Sequence, residues 1–351
     1  MTVTFVYANS RVALRREVAA GLAPDTGLLG QNHMRSEGIE SVAYEPLLQR
    51  WRTPGLLARL AWNLREVTLP WELGRSGVLC AALGPILPLA ARVRRGPKVV
   101  LFNLSLCTRL DRSSGVRRRI VSSGARAADA VVCFAESQRE RLLEQTACDP
   151  GRVHTLPLGV DERFLTSSGP PPRDGHVLAV GRDLARDYAT LARAVAGFDA
   201  RIVLVASEKN LRGVALPPNV EVRLDVSALE LRTLYDGARC VVIPTRSEDF
   251  PFGADCSGQT VLVDAMAMAR PAIVSERATL RGYVEDGRTA LVVPPEDPDA
   301  LRAALDTLLA DQALGERLGT AGRERVESEL TTRLFAGRLA ELLNTLITGG
   351  S

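Results

Sequence analysis

Short runs of Val, Ile and Leu recur along the chain, with helix-spaced segments between them, and this alternation restricts the fold more than any other feature. Runs buried on both faces and joined by helices belong to parallel sheets. Val3–Tyr7 reads as the first strand, and a loop carrying Gly21, Gly27 and Gly30 leads from it to a helical stretch over Asn32–Glu37. Lys98–Phe102 and Ala130–Phe134 continue the series. The sequence TSSGPPPRDG at 166–175 has no apolar period and predicts a linker. Beyond it lie His176–Val180, Arg201–Ala206, Val220–Leu224, Cys240–Ile243, Pro271–Val274 and Thr289–Val293. Asp297 and Pro298 start a helix in which Leu301, Leu305, Leu308 and Leu309 share a face. The pattern predicts α/β domains at 1–165 and 176–330, followed by an amphipathic helix within 331–351.

With 351 residues, 46% of them apolar, the chain can fill two cores. The longest apolar stretch, Gly77–Ala91, is shorter than the roughly 20 residues a membrane-spanning helix needs and is broken by Gly84, Pro85 and Pro88. No basic leader precedes the first strand, so a cytoplasmic location is expected. Six scattered cysteines form no CxxC pair and suggest neither a zinc cage nor a disulfide framework. Asp297 and Asp299 make the only Asp-x-Asp, at a helix start, and no required metal is expected. The absence of a GxSxG elbow disfavours hydrolases, and the absence of GxGxxG after the first strand disfavours NAD-linked chemistry. Residues 1–165 carry 23 basic and 15 acidic side chains, the remainder 21 and 26. Arg92–Lys98 and Arg117–Arg119 offer contact to an anionic bilayer or acceptor, the alternative being solvated helix faces. Aromatic residues are not interleaved with these runs, so nucleic acid is not an expected partner.

The most informative segment is PTRSEDFPFGADCSGQTVLVDAMAMARP, Pro244–Pro271, which reads as a strand end, a polar loop and a helix. Ser257, Gly258, Gln259 and Thr260 stand where that helix begins, and a helix amino end suits a diphosphate. Thr260 and Asp264, four apart, share a face from which the carboxylate can reach a sugar hydroxyl. Simple caps and a solvated carboxylate would produce the same letters.

The stretch SGQTVLVDAMAMARPAIVSERATLRGYVEDGRTALVVPPEDPDAL resembles the donor-binding segment of the retaining, family-4 glycosyltransferases, whose GT-B fold has two facing Rossmann-like domains and an interdomain cleft. VGRDLARDYATLARA resembles the family's Gly-Arg turn, VSALELRTLYDGARCVVIPTRSE the segment before its donor loop, and RVHTLPLGVD its entry to the interdomain linker. The likeness covers nearly all of the second half and about 98–165. It implies transfer of a sugar from a nucleoside-diphosphate donor to a glycan, lipid-linked or small-molecule acceptor, with retention and without a cofactor. A catalytically inactive nucleotide-sugar binder and a same-fold epimerase are the competing readings.

By resemblance, Arg182 neutralises the leaving diphosphate, Ser257, Gly258, Gln259 and Thr260 contact phosphate, and Asp264 holds the ribose where the family has glutamate. Val226 and Ser227 fall where main chain meets the base. Arg186 and Lys209 are candidates for a second phosphate-binding cation. The chain departs from the pattern at Cys256, where the first glutamate of a pair is usual, with Asp255 and Asp249 as nearby substitutes. It departs again at Asn103 and Ser105, where a histidine is common. Arg182, Asp255, Cys256 and Asn103 are therefore the candidate catalytic residues. The terminal helix resembles one that crosses back to the first domain.

Overall fold

The computed structural model describes residues 2–44, 67–70, 77–82 and 84–348. The chain divides into two compact units, one comprising Met1–Ala19, Gly27–Pro157 and Arg333–Ser351, the other Ala20–Thr26 and Leu158–Thr332. Among the described residues no helix is long and apolar enough to cross a membrane.

The first unit holds six parallel strands, β1 (Val3–Tyr7), β2 (Ser41–Tyr44), β3 (Val78–Ala82), β4 (Lys98–Phe102), β5 (Ala130–Cys133) and β6 (Val153–Thr155). Their order is β2-β1-β3-β4-β5-β6. Neither β2 nor β3 stands out in the sequence. The first is short and only partly buried. The second lies in the apolar run Gly77–Ala91, whose period cannot separate strand from helix; the run divides at Pro85, where the helix Ile86–Arg94 begins. The Asn32–Glu37 stretch contains only a 3-10 turn, Gln31–His33, followed by further turns.

The helix Thr332–Thr348 belongs to this unit. Phe335, Ala336, Leu339 and Leu343 are buried along it. The Phe335 ring lies 6.4 Å from that of Phe102 and 6.3 Å from that of Phe134. Near its end Lys98 Nζ donates to the Leu346 carbonyl at 2.5 Å.

The second unit holds β7 (His176–Val180), β8 (Ile202–Val205), β9 (Val220–Arg223), β10 (Ala238–Ile243), β11 (Ala272–Ser275) and β12 (Leu291–Val293), all parallel. Their order, β12-β11-β10-β7-β8-β9, is the doubly wound arrangement in which the direction of winding reverses between β7 and β10. Val177–Val180, Ile202–Val205 and Cys240–Ile243 are buried without alternation, as strands covered by helices on both faces must be. At such a reversal the loops leaving the carboxyl ends of two neighbouring strands part, and the crevice between them is the usual ligand site.

The Ser, Gly and Pro-rich segment 166–175 is not the boundary between the units, which falls at 157–158. It is tied to the second unit instead. Ser168 donates from its N–H and its hydroxyl to Asp236 at 2.8 and 2.6 Å, Arg270 Nη1 donates to the Gly169 carbonyl at 2.9 Å, and Gln312 donates to the Pro171 carbonyl at 2.7 Å. Loop composition marks missing periodicity, and a loop without periodicity can still be held by its backbone carbonyls.

Candidate functional site

The loops that leave β7, β8 and β10 are knotted together at the reversal point, and Asp183 ties the knot. Its Oδ1 accepts from the Ala185 N–H at 2.9 Å, its Oδ2 from the Ala254 N–H at 2.9 Å, and its carbonyl from Asn210 Nδ2 at 2.7 Å. The Asp187 N–H donates to Pro244 O at 3.0 Å, and the Arg246 N–H to Ala185 O at 2.8 Å, so the first and third loops pair like a short ladder. Arg246 further meets Asp187 at 3.3 Å. The loop after β11 joins through Arg277, whose Nη1 donates to Arg246 O at 2.8 Å.

Inside this knot lies Arg186, 7% exposed. Gly181, with φ of +151°, leaves the space its guanidinium fills, since a Cβ there would collide with Nε. Tyr188 secures the same turn by donating to Gly181 O at 2.7 Å, and burial pushes its phenol up to about 12. On the other side is Gly258, the N-cap of the helix Gln259–Ala267, at φ +102°. A Cβ at Gly258 would stand 3.5 Å from Arg186 Nη1 and 3.6 Å from Thr245 Cγ2. The guanidinium thus sits between the first turn after β7 and the amino end of that helix. Among the described residues its Nε and Nη1 have no hydrogen-bond partner. Nor do the buried Ser257 Oγ, Thr245 Oγ1 and Gln259 Oε1, although Gln259 Nε2 donates to Thr279 O at 2.8 Å. Burying an unpaired guanidinium costs several kcal/mol unless an anion arrives to pair it. A helix amino end adds unpaired N–H groups and the positive pole of the dipole to the same spot. Chemically, the arrangement gathers a guanidinium, unpaired donors and a helix amino end at one spot, a combination that suits an oxyanion.

The structure sets Arg186 against Gly258, with Ser257 and Gln259 flanking that glycine in the chain, and sets the others apart to varying degrees. Thr260 is exposed one residue along the helix. Asp264, a turn further, is half-buried, and desolvation raises its carboxyl to about 7. Its charge in turn raises the phenol of Tyr235 beyond what burial alone does, which places the two side chains near one another. Arg182 is 55% exposed and turned toward Asp225 at 3.8 Å, beyond the end of β9. Val226 is half-buried, and Ser227 caps the helix Ala228–Asp236 by accepting from the Glu230 N–H at 3.2 Å. Lys209 is exposed and lines a different cavity, with Arg212, Phe250 and Phe252. Asp255 is buried in the loop before the helix, Cys256 is a half-buried thiol, and Asp249 is exposed.

Asn103, the candidate from the first unit, is enclosed by its own surroundings. It is fully buried at the end of β4, where Oδ1 accepts from the Leu106 N–H at 2.8 Å and Nδ2 faces the sulfurs of Cys107 and Cys133 at 3.6 and 3.4 Å. Its Oδ1 thus serves the start of the helix Leu106–Asp111, and its Nδ2 is turned to the two sulfurs. Ser105 stands at the N-cap of that helix. Sequence reasoning passed over Asp183, Tyr188 and Thr245. Asp183 and Tyr188 do stand in the Gly-Arg stretch, but a carboxylate that organises backbone has no distinctive spacing.

Comparison with known proteins bears on the second unit most directly. The profile described as glycosyl transferases group 1 matches residues 177–311. Alpha-maltose-1-phosphate synthase of Mycobacterium tuberculosis is 28% identical over 252 residues, which cover 62% of this chain and 63% of that relative's length. MMP alpha-(1->4)-mannosyltransferase of Mycolicibacterium hassiacum is 28% identical over 219 residues, covering 57% of this chain and 50% of the relative. The chain therefore matches these curated relatives over half to about two thirds of their length. Among solved structures, sucrose-phosphate synthase from Thermosynechococcus elongatus superposes with a TM-score of 0.73 at 19% identity, over 100% of both chains. HepE of Anabaena in complex with UDP-glucose superposes with a TM-score of 0.68 at 14% identity, over 98% of this chain and 100% of that one. With its two six-stranded parallel sheets and this matched domain, the chain carries a group 1 glycosyltransferase domain within the GT-B fold.

Proposed function

We propose that this chain is a retaining glycosyltransferase that moves a sugar from a nucleoside-diphosphate donor to a glycan, glycolipid or small-molecule acceptor. One observation carries the reading: the buried guanidinium of Arg186, unpaired at two nitrogens, between Gly181 and the helix amino end at Gly258. Its charge and position suit a diphosphate, the one group common to every such donor. HepE, solved in complex with UDP-glucose, has the same fold and a ligand of that class.

As the glycosidic bond breaks, negative charge grows on the diphosphate and positive charge on the sugar. The largest contribution to rate therefore comes from fixed positive groups at the phosphates. Arg186 and the first turn of Gln259–Ala267 supply them, with Arg182 able to swing from the exposed Asp225. Guanidinium groups and a helix dipole take the part a metal ion plays in other transferases. The acceptor hydroxyl enters on the face the diphosphate leaves and loses its proton to the departing phosphate, so configuration is retained without an enzyme nucleophile. Asp264 holds the ribose, and the main chain at Val226 and Ser227 meets the base. Arg117 and Arg119, beside the exposed Val116 and Ile120 on the helix Gly115–Ala127, support peripheral contact with an anionic bilayer.

Titration calorimetry with UDP tests the cradle. Arg186→Ala is expected to weaken binding about 10- to 100-fold, the range for losing charge-assisted hydrogen bonds. Unchanged affinity would remove Arg186 from the donor site. Slow acceptor-free hydrolysis of the donor, read alongside, separates a transferase from a protein that only binds nucleotide sugars.

A further inference from the structure

Arg186 Nε and Nη1 are closed off from solvent as well as unpartnered among the described residues, and so are Thr245 Oγ1 and Ser257 Oγ. An anion arriving from solution cannot touch these groups while the loops stand as they do, so one of the walls around Arg186 has to move. Two of them are fixed. The turn at Gly181 is held from inside by the buried Tyr188 hydroxyl, which donates to Gly181 O at 2.7 Å. The helix Gln259–Ala267 buries Val261, Leu262, Val263, Ala265 and Met266 in the core, so its amino end at Gly258 cannot retreat without pulling them out.

The remaining wall is the segment 246–256, which joins β10 to that helix without forming helix or strand. Glu248, Asp249, Pro251 and Phe252 are exposed along it. Its near end is anchored on two sides. The Arg246 N–H donates to Ala185 O at 2.8 Å, and Glu248 Oε1 accepts from the Ala278 N–H at 2.6 Å. Its far end is tied to the turn after β7 through Asp183, whose Oδ2 accepts from the Ala254 N–H at 2.9 Å. Gly253 permits that tie: at φ +103° its backbone lies against Asp183 and Ala185, where a Cβ would collide with Asp183 Oδ1. Gly258, at φ +102°, closes the segment. Glycines on either side of 254–257 supply backbone freedom at the two points where a hinge would bend. Phe250 and Phe252 border, with Leu184, Arg186 and Arg212, a cavity of about 360 Å³, so space for movement lies next to the guanidinium.

We propose that 249–256 is a lid over Arg186, latched by Asp183, and that the latch releases before an oxyanion pairs with the guanidinium. Release exchanges the Ala254 N–H bond for water and uncovers the enclosed nitrogens. An opening of this kind is a minor state of the ligand-free chain, populated at about 0.1–10%. The lid follows from the enclosure of Arg186 and the tie at Asp183, and it rests on the donor reading only in naming a diphosphate as the anion it admits.

Phenylglyoxal, which modifies accessible guanidinium groups, measures the opening without a ligand. Modification of each arginine in the full chain is followed by peptide mass spectrometry, with the exposed Arg119 as reference. Arg186 is expected to react at least tenfold more slowly than Arg119. Asp183→Ala removes the latch, and Gly253→Ala adds a Cβ that pushes the segment off Asp183. Each is expected to speed Arg186 at least tenfold and leave Arg119 unchanged. Cys240, fully buried in β10, reports wider unfolding through its reaction with iodoacetamide and should stay protected in both variants. Saturating UDP is expected to slow Arg186 in the variants at least tenfold. An Arg186 as reactive as Arg119 in the wild type would overturn the lid, and so would an Arg186 that stays slow in both variants. Cys240 becoming reactive in step with Arg186 would do the same, since the unit would then be opening as a whole. If the variants uncover Arg186 and UDP gives it no protection, the donor reading fails and the lid stands.

Discussion

At the scale of single residues, Asp264 joins burial to a pH dependence that can be measured. Its carboxyl, raised to about 7 by desolvation, is protonated in the folded chain at a pH where the unfolded chain has already released the proton. The folded state therefore binds more protons between about pH 4 and pH 7, and this residue's contribution to stability is lost as pH rises through that window. Asp264→Asn should raise the thermal midpoint at pH 8 by roughly 2–4 °C, equivalent to ~1 kcal/mol after allowance for partial exposure, and change it little at pH 5. Nucleotide binding should show the opposite trend. The ionised carboxylate is the better acceptor for ribose hydroxyls, so wild-type affinity for UDP should rise from pH 6 to pH 8, whereas the variant's should stay flat. The sequence placed Asp264 on the same helix as Thr260 and one turn further along, because i and i+4 neighbours follow from helical geometry alone. It could not rank Arg186 above Arg182, since burial depends on how two distant loops pack. Nor could it show that Asn103 is spent on a helix start, a role that becomes visible only when β4 and the neighbouring cysteines are in place.

At the scale of elements, the second sheet was legible nearly strand for strand, because buried parallel strands leave uninterrupted Val, Ile and Leu runs. The loops between them were not, and they hold the candidate site. Two substitutions probe how they do it. Asp183→Ala removes the acceptor that joins the Gly181 turn to the Ala254 segment, and should raise amide exchange across 246–257 by one to two orders of magnitude. Losing the Ala254 N–H bond to this charged acceptor, at about 1.5–3 kcal/mol, would give an effect of that size. Unaltered exchange would mean that the loop is held by the Arg246 and Asp187 contacts alone. Gly258→Ala forces an L residue to adopt φ of +102° beside Arg186. A strain cost of about 1–3 kcal/mol is expected, read as a lower thermal midpoint, together with weaker UDP binding because the helix amino end must shift.

At the scale of the whole molecule, the division into units follows packing and not chain order. The helix Thr332–Thr348 follows all of the second unit, yet buries Phe335 with Phe102 and Phe134 of the first. Phe335→Ala should cost about 3–5 kcal/mol, the range for emptying an aromatic site in a core. Calorimetry should assign that loss to the first unit's transition and leave the second unit's in place. A uniform shift of both transitions would mean that the units melt as one. The amphipathic period of 331–351 made the helix visible in the sequence, but periodicity alone does not name the surface that a helix covers.

The same helix imposes an order on biosynthesis. While the ribosome elongates through residues 158–332, the aromatic patch formed by Phe102 and Phe134 has left the exit tunnel without its cover. The second unit can fold on emergence, whereas the first must wait for a segment translated after it. That interval exposes apolar surface to other nascent chains, and a chaperone that shields it would assist this protein more than one whose domains finish in the order they are made.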